Sequence, residues 1–196
     1  MQDDAPAGAA EGRPRIPPGQ YVTQRWPVLH YGDVPKVDLA TWRFRITGLV
    51  EDPCEWTYEE IRAMPARTIT RDIHCVTRWS RLDATFTGVP VRDLVARARV
   101  KPEGRFVIVH AEEGWTTNLP VEDLLREDNL LAWAADGEEL TPEHGWPLRL
   151  VVPHLYFWKS AKWVRGFEFV AEDVPGFWER YGYHMRGDPW KEQRFQ

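Results

Sequence analysis

The 196-residue chain reads as a mixed, strand-rich α+β domain. Short segments with a two-residue apolar period are interleaved with short segments of helical period. Their order follows neither βαβ units nor an unbroken series of hairpins. Hydrophobic residues make up 43% of the chain and aromatic residues 13%, enough to pack a core. The length suits one domain, so residues 20–196 are expected to fold as a unit behind a flexible lead-in, residues 1–19, rich in Ala, Gly and Pro.

Trp42, Phe44 and Ile46 alternate with Arg43, Arg45 and Thr47, the period of a half-buried strand, which Gly48 and Pro53 close. Thr57 and Glu60 stand at capping-box spacing and open a short helix that Pro65 stops. From residue 67 to 75 the alternation returns, with Ile69, Ile73 and Cys75 on one face and Arg71 among them. Val91, Leu94, Val95 and Ala98 recur at helical spacing over residues 90–98. The apolar run of residues 106–109, bounded by Gly104, fits a buried strand better than a helix. A short helix is expected over residues 121–126 and a strand over 130–134, ending at the Asp136-Gly137 turn. Strands over 148–152 and 163–170 complete the set.

Charge and cysteine usage exclude whole classes. With 25 basic against 30 acidic side chains, the net charge of −5 argues against a general nucleic-acid binder, which needs a basic excess. No apolar run approaches the roughly 20 residues of a membrane span. No apolar stretch follows Arg13 and Arg15 as an export signal requires, so the cytoplasm is the expected compartment and Cys54 and Cys75 are expected to be thiols.

One segment is purely basic: Arg149, Lys159, Lys162 and Arg165 lie between Glu143 and Glu168 with no acid among them. Such a run either builds an anion site or decorates a solvated sheet face. His144 and His154 flank it, Trp146, Trp158 and Trp163 interleave with it, and Ser160 sits between the lysines. That mixture suits a phosphate carried on a planar heterocycle, gripped bidentately by Arg and by Lys as a point charge.

The second signal is Cys75, with Arg71, His74, Arg78 and Arg81 close by in sequence. Neighbouring cations lower a thiol's pKa and favour the thiolate that attacks electrophiles or binds metals. A buried, inert cysteine is the plain alternative, and Cys54, beside Pro53 in a turn, is a candidate for that role. No paired Cys/His spacing supplies a zinc site. A Cys–His nucleophile pair stays open, with His110, His144 or His154 as base.

Three motifs in order resemble a known family. They are Cys75-Val76-Thr77-Arg78-Trp79-Ser80; the stretch from His144-Gly145-Trp146-Pro147-Leu148-Arg149 to Lys162-Trp163; and Gly176-Phe177-Trp178 with Gly187-Asp188-Pro189-Trp190. Together they resemble the molybdopterin-dependent oxidoreductases of the sulfite oxidase superfamily, above all its short bacterial members. The resemblance implies a sulfite oxidase-type molybdopterin-binding domain. It implies a molybdenum ion held by a pyranopterin dithiolene and by one protein sulfur, that of Cys75. It further implies pterin or phosphate contacts from His30, Thr117, His144, Arg149, Lys159, Ser160 and Lys162, with Tyr183 lining the open face of the metal.

Departures from the family bear on the substrate. Sulfite-oxidising members carry Arg-Asn-His where this chain has Val28-Leu29-His30, and paired arginines after the cysteine motif where it has Trp79-Ser80. A small dianion needs several fixed cations, so sulfite is a poor fit. The cysteine motif is nearer the methionine sulfoxide reductase branch. The expected reaction is oxygen-atom transfer to or from a small, sulfur-containing substrate, oriented by Tyr183 or Arg78. A separate protein is expected to donate or accept the electrons. The alternatives are a metal-free Cys–His enzyme, or a binding module that keeps the fold without cofactor.

Overall fold

A computed structural model describes residues 14–196. In chain order its strands are β1 (Tyr21–Val22), β2 (Phe44–Gly48), β3 (Cys54–Trp56), β4 (Arg67–His74), β5 (Trp79–Pro90) and β6 (Phe106–Ala111). They continue with β7 (Thr116–Pro120), β8 (Leu130–Ala135), β9 (Glu138–Glu139), β10 (Arg149–Val151) and β11 (Val164–Val170). Short helices α1 (Tyr58–Arg62), α2 (Val91–Ala98), α3 (Val121–Leu124) and α4 (Phe177–Arg180) fill the connections.

The strands form two sheets. One runs β1-β5-β8-β10, with β4 also paired to β5 and β9 to β8; the other runs β3-β2-β11-β6-β7. The principal core lies between them. Phe44, Ile46, Val107, Val109, Phe167 and Phe169 from the second sheet meet Val89, Leu131, Trp133 and Leu150 from the first. The Phe167 ring stands edge-on to Phe44 at 5.1 Å, a favoured aromatic geometry. The opposite face of the first sheet buries Ile73, Phe86, Leu130, Ala132 and Val151 in a second cluster that includes Cys75, Trp79 and Phe157. This second cluster is the floor of the site described below.

Local signals in the sequence are realised closely. Thr57 accepts from the Glu60 amide at 3.2 Å and the Glu60 carboxylate accepts from the Thr57 amide at 2.8 Å, a complete capping box. Helix α2 starts directly after Pro90 and buries Val91, Leu94, Val95 and Ala98. Two readings need correction, and one strand has no readable period in the sequence. The run at residues 106–109 is not buried on both faces: Val107 and Val109 are, while Phe106 and Ile108 are partly exposed. Cys54 lies not in a turn but in β3, opposite Ile46. The longest strand, β5, carries no clean alternation. Asp83 sits at φ 53° and the register shifts beyond it, which breaks the two-residue period.

Of the expected lead-in, residues 1–13 lie outside the described residues. The remainder is tied down rather than free. Arg15 pairs with Asp72 at 2.6 Å and with Asp83, and the Pro14 carbonyl accepts from Trp190 Nε1 at 3.0 Å.

Phe167→Ala, which removes the ring at the centre of the inter-sheet core, is expected to cost about 3–5 kcal/mol. A urea titration of the variant beside the parent measures this as a fall in midpoint at unchanged slope.

Candidate active site

A cavity of about 330 Å³ opens where loops from both sheets converge. Cys75 stands at its floor, on the tip of the β4–β5 hairpin. The tip is a tight turn in which the Cys75 amide donates to the Trp79 carbonyl at 2.8 Å and the Arg78 amide to the Cys75 carbonyl at 3.0 Å. Of the eleven tryptophans in the chain, six line the cavity: Trp26, Trp79, Trp115, Trp158, Trp163 and Trp178. Flat walls of this kind hold a planar ring system.

The basic segment divides in two. Arg165 turns to the second sheet, where it donates to Glu112 Oε1 at 2.8 Å and the Arg43 carbonyl at 3.0 Å. Lys159, expected to touch the cofactor, is fully enclosed away from the cavity. Its ammonium pairs with Glu179 at 2.6 Å and donates to Asn118 Oδ1 at 2.8 Å and the Met185 carbonyl at 2.6 Å. With every proton committed to protein acceptors, it has none for a ligand.

Arg149 and Lys162 differ. Both line the cavity, and among the described residues no carboxylate pairs with either. Arg149 is 3% exposed. Its Nη1 and Nη2 donate to the carbonyls of His144 and Ser160, each at 2.9 Å, while Nε is buried without a partner. The guanidinium also lies over the Phe157 ring at 4.3 Å. Burial pulls its pKa down to about 9. Lys162 donates to the carbonyls of Leu29 at 2.9 Å and Glu143 at 2.8 Å. Burial, reinforced by the charge of Arg149, pulls its pKa down to about 7. A buried guanidinium and a partly buried ammonium with no carboxylate pairing either could hold an anion, because neutral carbonyls offset only part of the cost of burying charge. Gly145 makes their approach possible. It holds φ 112°, and a Cβ there would sit 3.0 Å from Lys162 Cβ and 3.1 Å from Arg149 Cβ.

Five further expected residues are placed around these two. His144 stacks on Trp26 at 4.1 Å and shares a hydrogen bond with Thr141 Oγ1 at 3.1 Å. Ser160 accepts the Val152 amide at 2.9 Å. Thr117 lines the wall from β7 and donates to Glu179 Oε1 at 3.1 Å. His30 stands at the exposed rim, its Nδ1 on the Gly32 carbonyl at 2.9 Å. Tyr183 stacks on Trp178 at 5.1 Å, and its phenol is raised by burial and by the charge of the Cys75 sulfur. Its hydroxyl takes no hydrogen bond among the described residues. Arg78, by contrast, is exposed on the hairpin turn at φ 76° and does not line the cavity.

The environment of Cys75 also differs from the sequence reading. Arg71 is paired with Asp128 at 3.1 Å and Arg81 with Asp136. His74 points away, its Nδ1 on Ser80 Oγ at 2.8 Å and its ring edge-on to Trp190. Burial therefore raises the thiol's pKa. It is opposed by the Thr77 hydroxyl at 3.1 Å, by the Thr77 and Val76 amides, and by the charge of Arg194. Arg194 escapes sequence reasoning entirely, since nearly 120 positions separate it from the turn it contacts. Trp26, Phe157 and Glu179 were likewise unmarked, because no local period or motif announces a long-range wall contact.

No histidine nitrogen bonds the Cys75 sulfur among the described residues. His110 is held by Glu168 at 2.8 Å and His154 by Asp123 at 3.0 Å. Nor do three His, Cys, Asp or Glu side chains converge anywhere among them. Among the described residues, then, Cys75 has no two further side chains of these types with which to share a metal.

Residues 31–178 match the family described as the oxidoreductase molybdopterin binding domain. The chain belongs to this family. It is 58% identical to the "uncharacterized oxidoreductase YuiH" of Bacillus subtilis (strain 168), over 92% of each chain. The protein-methionine-sulfoxide reductase catalytic subunit MsrP of Campylobacter jejuni is 27% identical over 76% of this chain and 57% of its own. Among solved structures, the sulfane dehydrogenase SoxCD from Paracoccus pantotrophus superposes with a TM-score of 0.67 at 28% identity. That match covers 78% of this chain and 43% of the SoxCD chain. The chain thus spans less than two thirds of the latter two relatives.

Membership makes it a sulfite oxidase-like oxidoreductase whose cofactor is molybdopterin carrying molybdenum. The residues present fit that group. A lone thiol suits a metal whose other sulfurs come from the pterin, and the orphaned Arg149 Nε with the unpaired Lys162 ammonium suits its phosphate. No helix among the described residues is long and apolar enough to cross a membrane.

Lys162 carries a pH signature. With its folded pKa near 7 it loses its proton as pH rises past neutrality, so a bound anion loses one of its two cations. In cofactor-free protein, sulfate protection against thermal unfolding is expected to weaken from pH about 6.5 to about 8.5, a range in which sulfate itself does not titrate. Lys162→Met is expected to flatten that dependence; melting temperatures across the range, with and without sulfate, provide the check.

Proposed function

We propose that this chain catalyses oxygen-atom transfer to or from a small, sulfur-containing substrate. The observation that carries the reading is a single cavity holding one buried thiol, two cations without counter-ions and a free phenol. The bound cofactor supplies two-electron redox chemistry coupled to moving one oxygen atom. In the oxidising direction that oxygen comes from water, with two protons and two electrons released; reduction is the reverse. The electrons pass to or from a separate carrier protein.

The side chains divide the remaining work. Cys75 would provide the protein sulfur to the metal, whose coordination would remove the thiol proton; the Thr77 hydroxyl and the amides of Thr77 and Val76 offset part of the burial that raises the thiol's pKa. Arg149 and Lys162 receive the phosphate. His30, Thr117, His144 and Ser160 meet the polar edges of the pterin, and the six tryptophans exclude water from its faces. The Tyr183 phenol donates a hydrogen bond to the substrate oxygen.

A neutral sulfur substrate is supported by the mouth of the cavity. Leu29, Tyr31, Trp115 and Trp178 line it in place of the arginines a sulfite dianion would require. The likeness to a protein-methionine-sulfoxide reductase subunit supports the same class.

Cys75→Ser is expected to lower turnover of a methyl sulfoxide with reduced viologen as donor by at least roughly 100-fold, about 2.7 kcal/mol of barrier. Parent-like turnover in that variant would overturn the reading. Arg149→Met is expected to weaken cofactor retention by about 2–5 kcal/mol. Elemental analysis for molybdenum after dialysis, with pterin fluorescence of the denatured extract, reads that loss directly.

A further inference from the structure

The C-terminal segment reaches back across the site. Tyr183 and Phe195 form a β-bridge, the His184 amide donates to the Arg194 carbonyl at 3.2 Å, and the Gln196 amide to the Gly182 carbonyl at 3.0 Å. This short hairpin lies beyond residues 31–178, the part matched by the family. It places Tyr183 at the cavity wall and drives Arg194 beneath the Cys75 turn.

Arg194 is 7% exposed. Its Nη1 donates to the Val76 carbonyl at 3.0 Å and its Nη2 to the Pro18 carbonyl at 3.2 Å, and the guanidinium lies over the Tyr156 ring at 4.9 Å. The nearest carboxylate, Glu192, is half exposed and 3.8 Å away, so the pair is loose. The charge is thus held one residue from Cys75, at the carbonyl of Val76, and it opposes, more weakly than the Thr77 and Val76 hydrogen bonds, the burial that raises the thiol's pKa.

We infer that Arg194 is a positioning residue that sets the redox potential of the metal through Cys75. The inference rests on the reading that Cys75 binds the molybdenum. Each electron taken up adds one negative charge to the site, and a fixed buried cation nearby stabilises the more negative state. Arg194 therefore holds the potential up, and Glu192, by partly neutralising it, holds the potential down.

The test is a mediated redox titration of holoenzyme, with dithionite as reductant and ferricyanide as oxidant, followed by the paramagnetic molybdenum signal. Molybdenum content is measured on every sample. Arg194→Gln keeps a donor for the Val76 carbonyl but removes the charge, and is expected to lower the midpoint potential. Arg194→Lys is expected to restore most of it. Glu192→Gln, remote from the cavity, is expected to raise it, and decides the matter alone if Arg194→Gln does not retain metal. Unchanged potentials at full molybdenum content, or shifts of the same sign in Arg194→Gln and Glu192→Gln, would overturn the inference. Parent protein without molybdenum when made in a molybdate-replete host would instead overturn the reading of Cys75.

Discussion

Burying a cation without a counter-ion is costly, and this chain does it twice at one place. Arg149 and Lys162 meet around Gly145, desolvated, with carbonyl oxygens as their acceptors. That strain against solvation persists only because the surrounding sheets and loops over-determine it. Arg149 is locked into the register of β10 opposite Ala132, and Lys162 into the segment that pairs back on Leu150. An anion brought into the cavity relieves the cost, so the same feature that weakens the empty fold favours the loaded one.

Carboxylates consume the neighbouring Lys159, Arg186 and His154, which leaves Arg149 and Lys162 available to the cavity. Lys159 and Glu179 neutralise each other in full burial, and Glu179 Oε1 also accepts from Trp158 Nε1 at 2.9 Å, which fixes one flat wall. Asp123 accepts from both Arg186 and His154; although burial opposes it, those contacts hold the carboxyl well below its ordinary range. Each network joins the C-terminal segment to a short helix or loop of the main fold, so the tail closing over Cys75 is anchored by ion pairs as well as by ring packing.

Much of the architecture was legible in local pattern. The alternation at Trp42, Phe44 and Ile46, the capping box at Thr57 and the helical spacing from Val91 to Ala98 each depend on residues a few positions apart. Local physical chemistry decides such features. Strand β5 was not legible, because Asp83 interrupts its period and the register shifts against both β4 and β8. Strand β7 was missed for a similar reason: Thr116, Thr117 and Asn118 carry no apolar alternation, yet pairing with β6 makes them a strand.

The residue types of the site were visible in the same way. A thiol in a cysteine motif, a purely basic segment and an excess of tryptophan pointed to a soft metal ligand, an anion and a planar ring before any fold was known. Which charges act was decided only in three dimensions. Arg71 and Arg81 are consumed by Asp128 and Asp136, Arg78 turns out to solvent, Lys159 is consumed by Glu179, and a cation from the far end of the chain reaches the turn beside the sulfur. Composition determines how many charges a chain carries. Only the packed fold, by choosing which of them are paired and which are stripped of water, determines where they act.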